Sequence, residues 1–355
     1  MAHAGPHDTE LFDAVLASLP AVRAAFAYGS AVFQQQGYTP EHRRSAMVDL
    51  VLVVDDASAW HSTNLAANPT HYSMAARLLG AGNVAEVQRC GAGVYFNTGI
   101  DVGGRSVKYG VISEAALRDD LQHWSTLYIA GRMHKPVRVL RPIPVDLKPL
   151  MGANLRAALS AALLLLPARF NEHELFGTVC GLSYSGDVRM GLGENHDKPG
   201  NIASGQRGAL STLYERLLAG QSLTLIPGDA GTDVPWRQQL VCLPARRELL
   251  VSLPSNVQVS LLSTLGRQTE AFGDNGASMR TDVTDKVGDA LALLWRESAN
   301  DEEANARLST ALRHSLDRIV RRASMVQTAK GILTAGLSTS FTYALRKMRS
   351  ARGVR

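Results

Sequence analysis

Cysteine is scarce in this chain, with Cys90, Cys180 and Cys242 the only three among 355 residues. An odd, widely spaced set makes neither a zinc pattern nor a disulfide framework, so a reducing compartment is the simplest reading. Long hydrophobic runs are lacking too. The most apolar one, Ala157–Leu166, lies between Arg156 and Arg169 and is about half of what a membrane-spanning helix needs. At the N-terminus Asp8, Glu10 and Asp13 precede the first arginine, Arg23. That pattern fits neither a signal peptide nor an Arg-rich mitochondrial presequence, so organellar import would need a missing or unconventional signal. A Walker A loop, a GxGxxG after a strand, a GxSxG elbow and an HExxH helix are all absent, which sets aside the enzyme classes built on them.

What is present is a globular composition, 45% hydrophobic and 19% charged. It excludes disorder as the main state, and the length allows two domains and a small third. The net charge of +5 hides an asymmetry. From Arg307 to Arg355 there are 11 Lys and Arg residues against one acid, Asp317, whereas the first 306 residues carry 26 basic and 31 acidic residues. A basic tail of this kind points to a polyanionic surface, nucleic acid or anionic lipid.

Along the chain, helical spacing over Glu10–Leu19 gives way at Pro20 to a strand over Val22–Tyr28 that ends in Gly29-Ser30. Met47–Val54 reads as a buried strand with one acid, Asp49. Further strands are expected at Gly91–Asn97, Arg105–Ile112 and Val137–Leu140, with a turn at 101–104 and a helix over Leu117–Ile129. Pro136, Pro142, Pro144 and Pro149 mark the end of an α/β domain with a mixed sheet, residues 1–150. Residues 151–265 read as helices (Leu155–Leu166, Glu172–Leu182, Ala209–Leu218), a loop at 227–235, and short strands at Gln239–Leu243 and Leu249–Leu253. That order suits a helical, winged-helix-like unit. Residues 266–355 read as a C-terminal helical region with the basic tail, in which Gly331–Met348 is expected to lie in a membrane interface.

The best local chemical signal is Gly29-Ser30 after one strand, followed by Asp49 within the next. In nucleotidyltransferases of the polymerase-β type such a turn opens a helix whose backbone N–H groups hold a triphosphate, because the helix N-terminus is positive and glycine has no side chain. The neighbouring strand presents acids to Mg²⁺, a hard cation that bridges to phosphates. An acid–x–acid pair would be usual, but Val51 holds the second place. An ordinary turn and a strand-edge Asp is the competing reading. A second constellation, Ser183–Glu194, groups Asp187, Arg189 and Glu194 among glycines and suits metal and phosphate, or a solvated hairpin. His61, Asn64, His71 and Tyr72 form a polar cluster whose spacing favours structural hydrogen bonds over metal ligation. Lys108 and Lys135, each beside a short strand, are phosphate candidates.

Eight strings then become specific together, in one order: YGSAVFQQ (28–35), MVDLVLVVDD (47–56), WHSTNLAANPTHYS (60–73), GAGVYFNT (91–98), VKYGVIS (107–113), LYIAGRMHKPV (127–137), SYSGDVRM (183–190) and QTAKGILTAG (327–336). This set closely resembles the mitochondrial CDP-diacylglycerol synthase family, also called the translocator assembly and maintenance protein family, from about residue 25 to about 350.

The resemblance implies a membrane-peripheral phosphatidate cytidylyltransferase that makes CDP-diacylglycerol and pyrophosphate from CTP and phosphatidate with Mg²⁺, for phosphatidylglycerol and cardiolipin synthesis. Its implied architecture is a polymerase-β-type nucleotidyltransferase domain, a winged-helix-like domain and a C-terminal amphipathic helical region. The implied roles are Asp49 and Asp187 for Mg²⁺, with Asp56 as a further metal candidate, and Tyr28, Gly29 and Ser30 for the triphosphate. Lys108, Lys135 and Arg189 would counter phosphate charge. The implied place is the matrix side of the mitochondrial inner membrane, or the cytoplasmic membrane face in a bacterial relative. The rival readings are an RNA-directed nucleotidyltransferase, with the tail as its arm, and a non-catalytic membrane-tethered assembly factor. The family resemblance disfavours an RNA partner.

Overall fold

The structure, a computed structural model, describes residues 6–37, 39, 41, 45–191, 197–226, 236–266 and 283–335. The first half alternates helices and strands: α1 (Pro6–Ala17), β1 (Ala24–Tyr28), β2 (Val48–Val54), α2 (Ala57–Ala67), α3 (Met74–Arg89), β3 (Val94–Val102), β4 (Arg105–Ser113), α4 (Glu114–His123) and β5 (Arg138–Arg141). The second half is mostly helical: α5 (Lys148–Leu165), β6 (Arg169–Asn171), α6 (Glu172–Gly181), α7 (Lys198–Gly205), α8 (Arg207–Ala219), β7 (Leu223–Ile226), β8 (Trp236–Gln239), α9 (Leu243–Val251), α10 (Ser255–Gly266), α11 (Val283–Glu297) and α12 (Asp301–Ala335).

The first five strands form a mixed sheet in the order β3-β4-β2-β1-β5, with β2 and β4 parallel and the other pairs antiparallel. Side chains alternate across it. One face carries Ala25, Ala27, Leu50, Leu52, Val107 and Val111 against Phe12, Val15 and Leu16 of α1 and Trp60 of α2. The opposite face carries Phe26, Tyr28, Val51, Val53, Val94 and Ile112. These belong to a larger core with Leu117 and Leu121 of α4, the apolar face of α5, and Leu308, Leu312 and Val320 of α12. The fold is therefore mixed α/β, as the sequence pattern implies. The smaller sheet, β6-β8-β7, is antiparallel and brings Phe170 into the same core.

Three elements differ from the pattern reading. Leu249–Leu253, expected as a strand, is the end of α9 and the turn after it. A five-residue apolar run has no period of its own, and Pro244 in the first turn of α9 favours helix there. The strand expected at Gln239–Leu243 stops at Gln239, because Leu243 opens that helix. The helix expected through Ile129 ends at His123, and Trp124 is left-handed at φ 51°. The cause is Asp120, whose carboxylate is 2% exposed and accepts hydrogen bonds from the N–H groups of Thr126, Leu127, Ile129 and Ala130 and from the Thr126 hydroxyl. Those bonds pull the chain out of the helix into a tight loop that leads to Arg132 and Lys135. The interfacial segment expected over 331–348 lies outside the described residues beyond Ala335, as does the loop expected at 227–235.

Candidate active site

A row of residues crosses the sheet toward the large core: Tyr28 on β1 pairs with Asp49 on β2, Asp49 with Lys108 on β4, and Lys108 with Thr98 on β3. Directly paired residues share a face, so Tyr28, Asp49 and Lys108 project together. Lys108 Nζ lies 3.6 Å from Asp49 Oδ1 and 4.4 Å from the centre of the Phe96 ring. The carboxylate is thus compensated without being buried, since the Asp49 side chain keeps 27% of its surface.

Gly29 follows Tyr28 with φ +87°, and a Cβ there would stand 2.9 Å from Asp49 Oδ2. Only glycine fits both the left-handed backbone and the close approach. The Gly29 carbonyl accepts the N–H groups of Val32 and Phe33, making a single turn around Ser30. A regular helix was expected to open here. Instead the N–H of Gln36 reaches across to the carbonyl of Asn201, which takes the chain off the helical path.

Beside this row is a basic cluster. Arg132 is half-buried, with its guanidinium 4.3 Å from the centre of the Tyr28 ring. Lys135 is 5% exposed; its ammonium donates to Ser183 Oγ at 2.9 Å and the Cys180 carbonyl at 3.4 Å and lies 5.0 Å from the Tyr184 ring centre. Burial lowers the Lys135 pKa from its ordinary value. Asp187 and Arg189 are a bidentate pair, Nη2–Oδ2 2.6 Å and Nε–Oδ1 2.9 Å, and the Asp187 carboxylate also receives the Arg189 backbone N–H. Arg189 Nη1 approaches the Tyr128 hydroxyl at 3.5 Å. Tyr128, Arg132, Ser183, Tyr184, Asp187 and Arg189 line one small cavity. A larger cavity of about 250 Å³ between α4, α5 and α10 is lined, among the described residues, by no Lys, Arg, Asp or Glu, with His123 its one ionisable group.

The sequence candidates therefore divide. Tyr28, Gly29, Asp49 and Lys108 are brought together, and Lys135, Asp187 and Arg189 stand with Arg132, whose ring contact links it to Tyr28. Asp56 is elsewhere. It is the N-cap of α2, where Oδ1 accepts the N–H groups of Ser58 and Ala59, beyond the far end of β2. Asp49 is separated from that end by roughly 17 Å of strand, so one ion cannot bind both. Glu194 lies outside the described residues. Among the described residues, no group of three or more His, Cys, Asp or Glu is placed to hold a metal. Asp49 alone still suits Mg²⁺, which takes one or two carboxylates and completes its shell with phosphates and water. The oxygens of Asp187 are already engaged by Arg189.

The polar cluster after β2 is a hydrogen-bonded core. His61 bonds Tyr72 and Gln88 at 2.8 Å each, and Asn64 donates to the hydroxyls of Tyr72 and Tyr109. Burial pushes the His61 pKa down to about 4, with the Gln88 bond opposing in part. Arg132, Tyr128 and Tyr184 were not singled out as site residues from sequence. The available signal was GRMHKPV itself, where two cations flank a buried His134 before a proline.

Comparison with known proteins shows the family of the chain. The family model described as phosphatidate cytidylyltransferase, mitochondrial, matches residues 12–350. The protein of that name from Danio rerio is 38% identical over 330 residues, covering 92% of this chain and 89% of the relative. The Xenopus laevis protein is 37% identical, with 92% and 90% covered. The Drosophila melanogaster protein is 37% identical over 361 residues, with 97% and 99% covered. At that identity over nearly the whole length, this chain belongs to the mitochondrial phosphatidate cytidylyltransferase family.

Proposed function

We infer that the protein is a phosphatidate cytidylyltransferase, a transferase of phospholipid biosynthesis that joins CTP to phosphatidate to give CDP-diacylglycerol and pyrophosphate. The observation that carries the reading is the contact of Gly29 with Asp49 beside Lys108, in a chain of this family. A phosphomonoester has a second pKa of about 6, so near neutral pH its oxygen is already an anionic nucleophile. That oxygen bonds the α-phosphorus of CTP as the α–β bridging P–O bond breaks, and pyrophosphate leaves with the electron pair. No general base is needed. The task of the site is to bring two polyanions together and hold them in line.

In this reading the turn at Gly29-Ser30 receives the triphosphate against bare backbone, and Lys108 and Lys135 counter its charge. Asp187 fixes the guanidinium of Arg189 in one orientation. Asp49 is the residue that would hold Mg²⁺, with Asp187 able to contribute only if it gives up part of its bond to Arg189. The ion, when bound, would neutralise phosphate charge. We assign residues 1–150 to a polymerase-β-type nucleotidyltransferase domain, 151–265 to a winged-helix-like domain and 266–355 to a membrane-contacting helical region.

The curated relatives are mitochondrial by name, and no helix among the described residues is long and apolar enough to cross a membrane. Both are compatible with the proposal of a peripheral enzyme on the matrix side of the inner membrane, held by its basic tail on anionic lipid, with no nucleic-acid partner. Its product would feed phosphatidylglycerol and cardiolipin synthesis. Incubation with labelled CTP, phosphatidate vesicles and Mg²⁺ tests the activity, and absence of labelled CDP-diacylglycerol would refute it.

A further inference from the structure

We propose that the guanidinium groups of Arg132 and Arg189, with Tyr128 and Tyr184 beside them, form a second anion subsite next to the Gly29-Ser30 turn, and that it binds the phosphomonoester headgroup of the acceptor lipid. The assignment of that anion to a lipid rests on the cytidylyltransferase reading.

Charge is the first argument. Two guanidinium groups line the small cavity, and among the described residues the one carboxylate in its lining, Asp187, is paired with Arg189. Arg132 makes no side-chain hydrogen bond or ion pair among the described residues; its contact is the face of Tyr28. A half-buried guanidinium has five donors to satisfy. Solvent reaches those donors, so an acceptor anion can take the place of water on them. A phosphomonoester carries about −1.5 to −2 charge near neutral pH and presents three acceptor oxygens, which suits arginine donors and phenol hydroxyls.

Rigidity is the second argument. Arg189 is held by both Asp187 oxygens, so its outward N–H groups have a fixed direction. The loop that carries the pair is fastened from behind by α12. The Val188 N–H donates to Ser324 Oγ at 3.3 Å, Ser185 bonds Asp317, and a Cβ at Gly186 would stand 2.6 Å from the Asp317 carbonyl. Val320 and Ser324 of the same helix wall the cavity.

Position is the third argument. Arg132 stacks on Tyr28, the residue before the Gly29-Ser30 turn and the register partner of Asp49. An anion held at Arg132 therefore adjoins whatever occupies the turn, as transfer between two phosphates requires.

The test is calorimetric binding of short-chain phosphatidate and, separately, of CTP with Mg²⁺, to the full chain and to Arg132→Gln, Arg132→Lys and Tyr128→Phe. Losing charge-assisted bonds in Arg132→Gln should weaken phosphatidate binding by at least about tenfold. CTP binding should stay within about twofold of the parent. Tyr128→Phe, which keeps the ring packing, should move phosphatidate binding in the same direction, and it decides the matter if Arg132→Gln does not fold. Equal or greater loss of CTP affinity would assign the cavity to the triphosphate and overturn the proposal. Unchanged binding of both ligands would overturn it as well. Phosphatidate binding with the expected Arg132 dependence but no CDP-diacylglycerol formation would refute the activity and leave the subsite standing.

Discussion

A Cβ on Gly29 would approach Asp49 Oδ2 to 2.9 Å, so the turn after β1 and the one acid of β2 are built against each other. No side chain can enter between them without moving the carboxylate. Gly29→Ala should therefore cost about 1–2 kcal/mol of stability from its left-handed backbone and should also weaken CTP binding, because the methyl group occupies the phosphate approach. Thermal unfolding and CTP titration measure the two effects. A folded Gly29→Ala with full CTP affinity would move the triphosphate elsewhere.

Arg189→Ala leaves the Asp187 carboxylate, whose side chain is 3% exposed, without its cation. With the Arg189 side chain 36% exposed, the loss of these charge-assisted bonds should cost about 1.5–3 kcal/mol. The double variant Asp187→Asn, Arg189→Ala should recover part of that loss. Equal stability of the parent and Arg189→Ala in denaturant titrations would show that the pair holds nothing in place.

Buried histidine predicts acid sensitivity. His61 titrates near 4 in the fold, lowered by burial, against about 6.5 in an unfolded chain. The unfolded state thus binds the proton more readily between those values, and stability falls as pH drops from 6.5 to 4, by about 3 kcal/mol in all. His134, lowered by burial to about 3, adds to the slope. Denaturant midpoints across that window should flatten in His61→Gln; an equally steep profile in the variant would contradict the assignment.

Lys330 anchors the end of α12. Its ammonium donates to the carbonyls of Cys90 at 2.7 Å, Val94 at 3.0 Å and Gln88 at 3.2 Å, where α3 turns into β3. Lys330→Met should destabilise the protein by about 1–3 kcal/mol and speed amide hydrogen exchange over residues 88–94. Parent-like protection of that turn would show the contact to be dispensable.

Much of the sheet and half of the candidate site can be read in the sequence. The β-branched run 48–54 with a single acid and the Gly29-Ser30 break after an apolar strand are local signals, because a buried strand needs its neighbours apolar and a left-handed turn needs glycine. Arg132 escaped that reading. Its place depends on Asp120 drawing 126–130 out of a helix, and a side chain that accepts distant N–H groups leaves no mark on periodicity. The Asp187–Arg189 motif was visible, but its support was not, since Asp317 and Ser324 reach it from more than 120 residues along the chain. Leu249–Leu253 misled for the opposite reason: it is apolar enough for either element and too short to show a period.

The most direct test of the account is the rate of CDP-diacylglycerol formation from CTP, Mg²⁺ and phosphatidate vesicles by the parent and by Asp49→Asn, with folding checked by thermal unfolding. Asp49→Asn keeps the shape of the side chain and removes the charge that faces Lys108 and the Gly29 turn. The account predicts that the parent turns over and that the folded variant loses at least about 100-fold in kcat, the scale on which deleting one preorganised electrostatic group acts. Parent-like turnover by Asp49→Asn would contradict it.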